Sequence, residues 1–225
     1  MNRVIAIDGP SGSGKSTVAR CLGLKLGFLH VDSGALYRIM TWQALLHRID
    51  TASEAALTAF APHVTVEFAV RDGAVIYRVL GEEPGDCLRT PEINQHASPV
   101  AKAPAVRSRV TSWLRDLRTL GDLVVEGRDI GSVVFPDTPA RFYLDAAPEE
   151  RARRRHQEER QKGIAVQSPE AVLTSLLNRD RIDSSRATAP LKIADGAMVL
   201  DTTTLSIEEV VQTVYHHLPA DWRKA

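Results

Sequence analysis

Val4-Ile-Ala-Ile-Asp-Gly-Pro-Ser-Gly-Ser-Gly-Lys-Ser-Thr17 is a short apolar run that breaks into glycines and ends in Lys-Ser-Thr. It reads as strand, phosphate-binding loop and helix. Gly9 to Ser16 satisfies G-x-x-x-x-G-K-[ST] in full, with the preceding strand and following helical pattern that the motif requires. The loop residues Gly9, Pro10, Ser11, Gly12, Ser13, Gly14, Lys15, Ser16 and Thr17 must turn backbone N–H groups inward around phosphate oxygens. A side chain at the closest approach would block them, hence the glycines. A helix starting near Lys15 adds its positive end. Lys15 then reaches the β- and γ-phosphates of ATP, and the Ser16 hydroxyl ligates the Mg²⁺ that travels with the nucleotide. A Gly/Ser-rich turn that binds nothing would not need strand, spacing, lysine and hydroxyl in register.

Working outward, 225 residues suit a single α/β domain, 1–225, with room for an insertion. Twenty-eight basic and 28 acidic residues cancel, so no overall field draws the chain to nucleic acid or an anionic membrane. The basic residues are uneven: six lysines leave 22 arginines, the side chain that grips phosphate through a planar fork. Cys21 and Cys87 fit neither a zinc site nor a disulfide framework. The first strand begins within a few residues and no long apolar run follows, so a cytoplasmic protein is expected, without membrane or nucleic-acid partners and monomeric.

After the loop, Val18, Leu22, Leu24 and Leu26 mark a helix that Gly27 can stop, and Phe28-Leu-His-Val-Asp32 is a second strand. Asp32-Ser-Gly34 offers a turn and an N-cap before a helix over 36–48, and 51–61 reads as another. Val64, Val66 and Phe68 then alternate with polar neighbours, Asp72-Gly73 is a turn signal, and 75–80 is rich in strand formers. We read a hairpin within a small insertion, 64–103, whose second part, from Thr90, is polar and proline-containing. Helical periodicity returns over 106–120. Leu123-Val-Val-Glu126 and Arg141-Phe-Tyr-Leu-Asp145 fit buried parallel strands. A helix from Pro148 to Lys162, stopped by Gly163, opens a helical lid of about 148–167. Ser168-Pro169-Glu170 starts the next helix, Met198-Val-Leu-Asp201 is the last strand, and Ser206 caps a terminal helix.

Three stretches carry chemistry beyond the loop. Val172, Leu176, Arg179, Asp183 and Arg186 are spaced four, three, four and three apart, a single helical stripe that starts apolar and becomes charged. A core-facing stripe that turns polar points into a cavity, where Arg179 and Arg186 meet an anion and Asp183 orients or accepts from it. An exposed Arg–Asp pair at this spacing is the plainer alternative. Glu126-Gly-Arg-Asp129 follows a buried strand, so Arg128 and Asp129 fall on the same rim as Ser33 and Arg38, where open α/β sheets bind ligands; the plainer alternative is a turn closed by the aspartate. Arg151, Arg153, Arg154 and Arg155 either form i,i+4 pairs with Glu149 and Glu150 on a solvated helix or arm a lid.

Abundant arginine without an evident general base has a chemical reason. A phosphate monoester, with a second pKa near ~6, is already mostly dianionic at neutral pH and needs no base. Bringing it to the γ-phosphoryl of Mg·ATP crowds like charges, so cations must bridge donor and acceptor and hold them in line.

Together, Ile7-Asp-Gly-Pro-Ser-Gly-Ser-Gly-Lys-Ser-Thr17, Asp32-Ser-Gly-Ala-Leu-Tyr-Arg38, Leu88-Arg-Thr-Pro-Glu-Ile93, Glu126-Gly-Arg-Asp-Ile-Gly131, Arg179-Asp-x-x-Asp-x-x-Arg186 with Ala189-Pro-Leu191, and Leu200-Asp-Thr-Thr203 resemble the bacterial cytidylate kinases, of the P-loop nucleoside monophosphate kinases. The resemblance runs from end to end. It implies a P-loop kinase fold with a five-stranded parallel sheet flanked by helices, a nucleotide-binding insertion matching 64–103 and a lid. It implies transfer of the γ-phosphoryl of Mg·ATP to CMP or dCMP, with Lys15, Arg128 and Arg179 catalytic and Arg155 joining the loop at ATP. It places Ser33, Arg38, Ser98, Arg107, Arg128, Asp129, Arg179, Asp183 and Arg186 around CMP. Near Ser98 the chain departs from the pattern at His96 and Pro99, and in the hairpin at Pro84-Gly85.

A kinase for another small acceptor would keep the loop and lose the match at Arg179 to Arg186; a P-loop switch would hydrolyse ATP slowly with no acceptor. A carboxylate at Asp129 favours the amino group of cytosine over O4 of uracil, which would face it acceptor to acceptor. Asp129→Ala is therefore predicted to damage use of CMP while sparing ATP binding, and steady-state kinetics with CMP unchanged from wild type would remove Asp129 from the site.

Overall fold

The apolar run ahead of the phosphate loop is strand β1 (Val4–Asp8), buried along its whole length. The structure is a computed structural model and describes residues 2–161 and 168–223. β1 lies between the parallel strands β5 (Leu123–Gly127) and β6 (Ala140–Asp145). β2 (Leu29–Asp32) pairs with β5 and β7 (Met198–Asp201) with β6, completing the expected five parallel strands. Side chains alternate across β1. Ile5 and Ile7 join Val18 and Leu22 of α1 (Lys15–Leu26) and Val210 and Val214 of α8 (Ile207–His216) on one face. Val4 and Ala6 join Ile39 and Met40 of α2 (Ser33–Leu46) and Val106 and Val110 of α5 (Pro104–Asp116) on the other.

The sheet has seven strands rather than five. β3 (Glu67–Arg71) and β4 (Ala74–Arg78) form the expected hairpin around Asp72-Gly73, both at positive φ, 51° and 73°. That geometry matches the right-handed twist of its strands. The hairpin joins the sheet: β4 runs parallel to β2, with His30 opposite Ala74 and the His30 N–H donating to the Gly73 carbonyl at 2.9 Å. Without it β2 would expose an unpaired edge. The rest of 64–103 turns away from the sheet into α4 (Pro91–Val100), a helix in the polar, proline-containing stretch to which no element is assigned from sequence. The signal was present. Thr90-Pro91-Glu92 repeats the Ser168-Pro169-Glu170 pattern, and the Thr90 hydroxyl accepts the Ile93 N–H at 3.3 Å as an N-cap. Pro99 sits in the last turn, where the hydrogen bond it forgoes is near the helix end.

α2 starts three residues earlier than expected, because Asp32 itself is the cap and accepts from the Ala35 N–H at 3.1 Å. Between α2 and β3 lies the short helix α3 (Glu54–Phe60). The helices α6 (Pro148–Gln161) and α7 (Pro169–Ser184) pack on each other through Ala152, Val172 and Leu176. The predicted end of α6 at Lys162 and Gly163, with the 162–167 portion of the expected lid, lies outside the described residues.

Gly9 is the tightest junction between β1 and the loop. At φ 145°, a Cβ there would stand 2.0 Å from the carbonyl oxygen of Leu144 in β6. At Gly81, φ 82°, a Cβ meets nothing within 4 Å. Gly81→Ala is thus expected to cost only the ~1–2 kcal/mol of a left-handed residue. Gly9→Ala must in addition push two central strands apart, and urea unfolding should show at least about twice that loss.

Candidate active site

A cleft of ≈ 970 Å³ opens over the carboxyl ends of β1, β2 and β5. Its wall includes the loop from Ser11 to Thr17 together with Ser33, Arg38, Ser98, Arg128, Asp129, Arg155, Arg179, Asp183 and Arg186. The site residues predicted from sequence thus converge from the phosphate loop, α1, α2, α4, the turn after β5, α6, α7 and the segment just after α7. Three stand off the wall. Gly9 and Pro10 form the underside of the loop, and Arg107 lies behind Asp129, paired to its carboxylate and 3% exposed.

On the loop side, Gly14 takes the left-handed conformation, φ 90°, and α1 begins with no acidic residue in its first turn to offset its positive end. Lys15 is 4% exposed and donates to the Pro10 carbonyl at 2.5 Å and the Ser13 hydroxyl at 3.4 Å. Burial, and then the nearby Arg128 charge, hold its ammonium down to about 7, against the opposing pull of Glu126. The Ser16 hydroxyl donates to the Glu126 carboxylate, which burial pushes above the usual carboxylate range. The four arginines in the first half of α6 separate into different roles. Arg151 is buried and braces the loop, its guanidinium reaching the Ala146 carbonyl at 3.0 Å, the Ser11 carbonyl at 3.1 Å and Asp180 at 2.5 Å. Arg153 is exposed and held by Glu150; Arg154 donates to the Thr202 carbonyl at 2.6 Å; Arg155 borders the cleft, paired with Glu158 and Glu159.

On the other side, the Ser33 hydroxyl donates to the Glu126 carbonyl at 2.6 Å at the start of α2. Arg128 pairs with Asp183 at 3.2 Å. The stripe on α7 holds through Val172, Leu176, Arg179 and Asp183, but Arg186 lies beyond the helix end at Ser184 and curls back, its Nε donating to the Asp183 carbonyl at 3.2 Å. Cations outnumber their partners here. Nε of Arg38, Nε of Arg179 and a terminal nitrogen of Arg186 are buried without a hydrogen-bond acceptor. Burial, then Arg38 and Arg128, hold the Arg179 guanidinium down to about 9. Crowded, desolvated donors of this kind are matched by an anion with several acceptor oxygens.

The wall also contains residues the sequence reading did not assign: Asp32, Tyr37, Arg89 and Thr202. Glu126 had been quoted in its motif without a role. A carboxylate at the end of an otherwise wholly apolar strand was the available signal, since such a group is buried only with partners.

The sequence model of the family described as cytidylate kinase matches residues 5–220. The chain belongs to the cytidylate kinase family. Among its relatives, cytidylate kinase of Pseudomonas paraeruginosa (strain DSM 24068 / PA7) is 46% identical over 216 residues, 95% of this chain and 94% of the relative. Cytidylate kinase of Shigella sonnei (strain Ss046) is 44% identical over 93% of this chain and 92% of the relative. The solved structure of an uncharacterized protein from Eubacterium ventriosum ATCC 27560 is similar in fold, with a TM-score of 0.50 at 11% identity, covering 96% of this chain and 97% of that one. As a cytidylate kinase family member the chain is an enzyme, a phosphotransferase. Among the described residues no helix is long and apolar enough to cross a membrane.

In this family setting the lowered Lys15 ammonium has a measurable consequence. Above about pH 7 the free site holds less than a full proton on Lys15, and phosphate charge raises its affinity for one. ATP binding at pH 8 should therefore take up protons, seen as a dependence of calorimetric enthalpy on buffer ionisation heat. Lys15→Met should reduce that dependence.

Proposed function

We propose that this cleft transfers the γ-phosphoryl of Mg·ATP to the phosphate of CMP or dCMP. The observation that carries the reading is the unpaired, buried guanidinium nitrogens of Arg38 and Arg179, set with Arg128 between the Lys15 loop and the Asp129–Asp183 side of the cleft. ATP sits with its phosphates on the loop amides from Ser11 to Thr17, where Lys15 exchanges the Pro10 carbonyl for β- and γ-oxygens. CMP occupies the opposite side, its phosphate on Ser33, Arg38 and Arg128. Its sugar and base lie toward Ser98, Asp129, Asp183 and Arg186, and Arg107 holds Asp129 from behind.

The residues suit a hard divalent ion. Ser16 and Glu126 offer adjacent oxygen donors, and among the described residues no three His, Cys, Asp or Glu side chains form a cage, so phosphate oxygens would complete its shell. Mg²⁺, when bound, neutralises charge on the β- and γ-phosphates.

Catalysis by the chain is positioning and charge. An oxygen of the dianionic acceptor phosphate attacks the γ-phosphorus, the bond to the β–γ bridging oxygen breaks, and ADP and CDP or dCDP result with no proton to remove. Lys15, Arg128 and Arg179 hold the oxygens of donor and acceptor in line, with Arg155 closing from α6 once phosphate competes for it with Glu158 and Glu159. The part of the insertion that serves the acceptor is narrower than 64–103: the stretch from Arg89 through α4, since the hairpin belongs to the sheet.

The Arg107–Asp129 pair changes how Asp129 should be tested. Asp129→Ala strands a buried guanidinium, which typically costs ~3–5 kcal/mol of stability, whereas Asp129→Asn keeps an acceptor for Arg107. ADP release followed across CMP, dCMP, UMP, AMP and shikimate should be fastest with the two cytidine nucleotides. In Asp129→Asn the preference for CMP over UMP should fall by at least about tenfold, the scale of one buried hydrogen bond to a charged group. No stimulation of ADP release by any acceptor would overturn the reading.

A further inference from the structure

Asp8 is the last residue of β1, next to Gly9, and its carboxylate is absent from the wall of the cleft. It is 3% exposed, and its two oxygens accept the backbone N–H groups of Ile130 and Gly131 at 2.8 Å each. Those amides open the π-helical turn Ile130–Val134. First-turn amides have no partner within a helix and ordinarily take one from the residue at the N-cap. Here the N-cap is Asp129, and its side chain makes no capping bond. It is committed to Arg107. Asp8, 122 positions away in sequence, supplies the cap instead.

The same residue also fixes the other end of the turn, because Asp8 stands opposite Gly127 in the β1–β5 ladder. Residues 127–131 are thus tied to one point of β1 at both ends, and Arg128 and Asp129 project from between the ties. The tie is tight: a Cβ on Gly127 would lie 2.6 Å from the Ser33 hydroxyl and 2.7 Å from Ile130 side-chain carbons.

We propose that Asp8 is a positioning residue for phosphoryl transfer, registering the turn that carries Arg128 and Asp129 to the phosphate loop and relieving Asp129 of the capping role, so that the carboxylate oxygen not bonded to Arg107 faces the acceptor nucleotide. The inference rests on the function proposed above. Two acceptor oxygens require the ionised carboxylate; burial pushes this acid upward, the two amides and Lys15 counter that, and Asp129 adds to it.

The test is Asp8→Asn in the full-length enzyme, whose amide keeps one acceptor oxygen and turns an N–H₂ group toward the second backbone donor. ATP affinity should stay within about twofold of wild type, while kcat with saturating CMP falls at least about tenfold. CMP affinity, measured by calorimetry with a non-hydrolysable ATP analogue bound, should weaken by a similar factor. In the double variant with Asp129→Asn the two losses in CMP affinity should be less than multiplicative, because both act through one turn. Val211→Ala, a core cavity in α8 remote from the turn, should lower thermal stability without that kinetic pattern. Should Asp8→Asn not fold, Asp8→Glu keeps the charge and displaces both oxygens, and is held to the same expectations. In the wild-type protein the Ile130 and Gly131 amides should exchange with solvent as slowly as those of β5. Unchanged kcat and CMP affinity, fully multiplicative losses, or rapid exchange of that amide pair would each overturn the proposal. A wild-type enzyme inactive on CMP would instead overturn the proposed function and leave the exchange result to judge Asp8.

Discussion

Like charges held together without water are the constraint around which this molecule is arranged. Burial lowers the proton affinity of Lys15, Arg38 and Arg179, and the Arg128 charge lowers each of them further. Repulsion at that spacing in a low dielectric costs several kcal/mol unless something opposes it. The protein opposes it incompletely. Glu126, Asp183 and Asp32 each draw on one or more of the cations, yet Nε of Arg38 and of Arg179 still lack an acceptor. In the function proposed above, phosphate oxygens would supply the missing acceptors and charge together, so that the arrangement that strains the free site would favour the pair of phosphates to be joined.

Holding cations against one another requires a frame that does not yield. The central strand β1 supplies it, packed on both faces and paired on both edges. From its end the chain passes directly into the loop at Gly9, while the Asp8 carboxylate reaches across to the turn after β5. Arg151 braces the loop from the α6 side through Ser11, and the Thr202 hydroxyl donates to the Ser13 carbonyl at 3.1 Å from beyond β7. Rigid contacts of this kind place side chains with the precision that phosphoryl transfer needs, where charge and alignment are the whole of the catalysis. Arg155, paired with Glu158 and Glu159 on its own helix, has no ion pair to that frame among the described residues.

Some of this was legible in the chain because it is local. The phosphate loop, the N-cap at Ser168, the Asp72-Gly73 hairpin and the stripe from Val172 to Asp183 each depend on residues a few positions apart, and their backbone requirements are short-range. Other features were local and passed over, as with the Thr90 cap of α4, because prolines and polar residues resemble a loop when the cap is not counted first. The turn of Arg186 back onto Asp183 was misread as helix because a regular spacing of three and four does not reveal where a helix stops.

By itself the sequence determined that a nucleotide-phosphate cradle opens an α/β chain, and that arginines and aspartates meet at one rim, since motif and periodicity are properties of neighbouring residues. Only the tertiary structure decided which carboxylate answers which cation. The pairings of Arg107 with Asp129, Arg128 with Asp183, Ser16 with Glu126 and the Ile130 and Gly131 amides with Asp8 join residues 22, 55, 110 and about 122 positions apart. No local pattern encodes such pairs; they are set by the order of strands in the sheet, which brings the ends of β1, β2 and β5 to a common edge. The same ordering made the hairpin an extension of the sheet, because β2 had an edge to cover and β4 lay within reach of it.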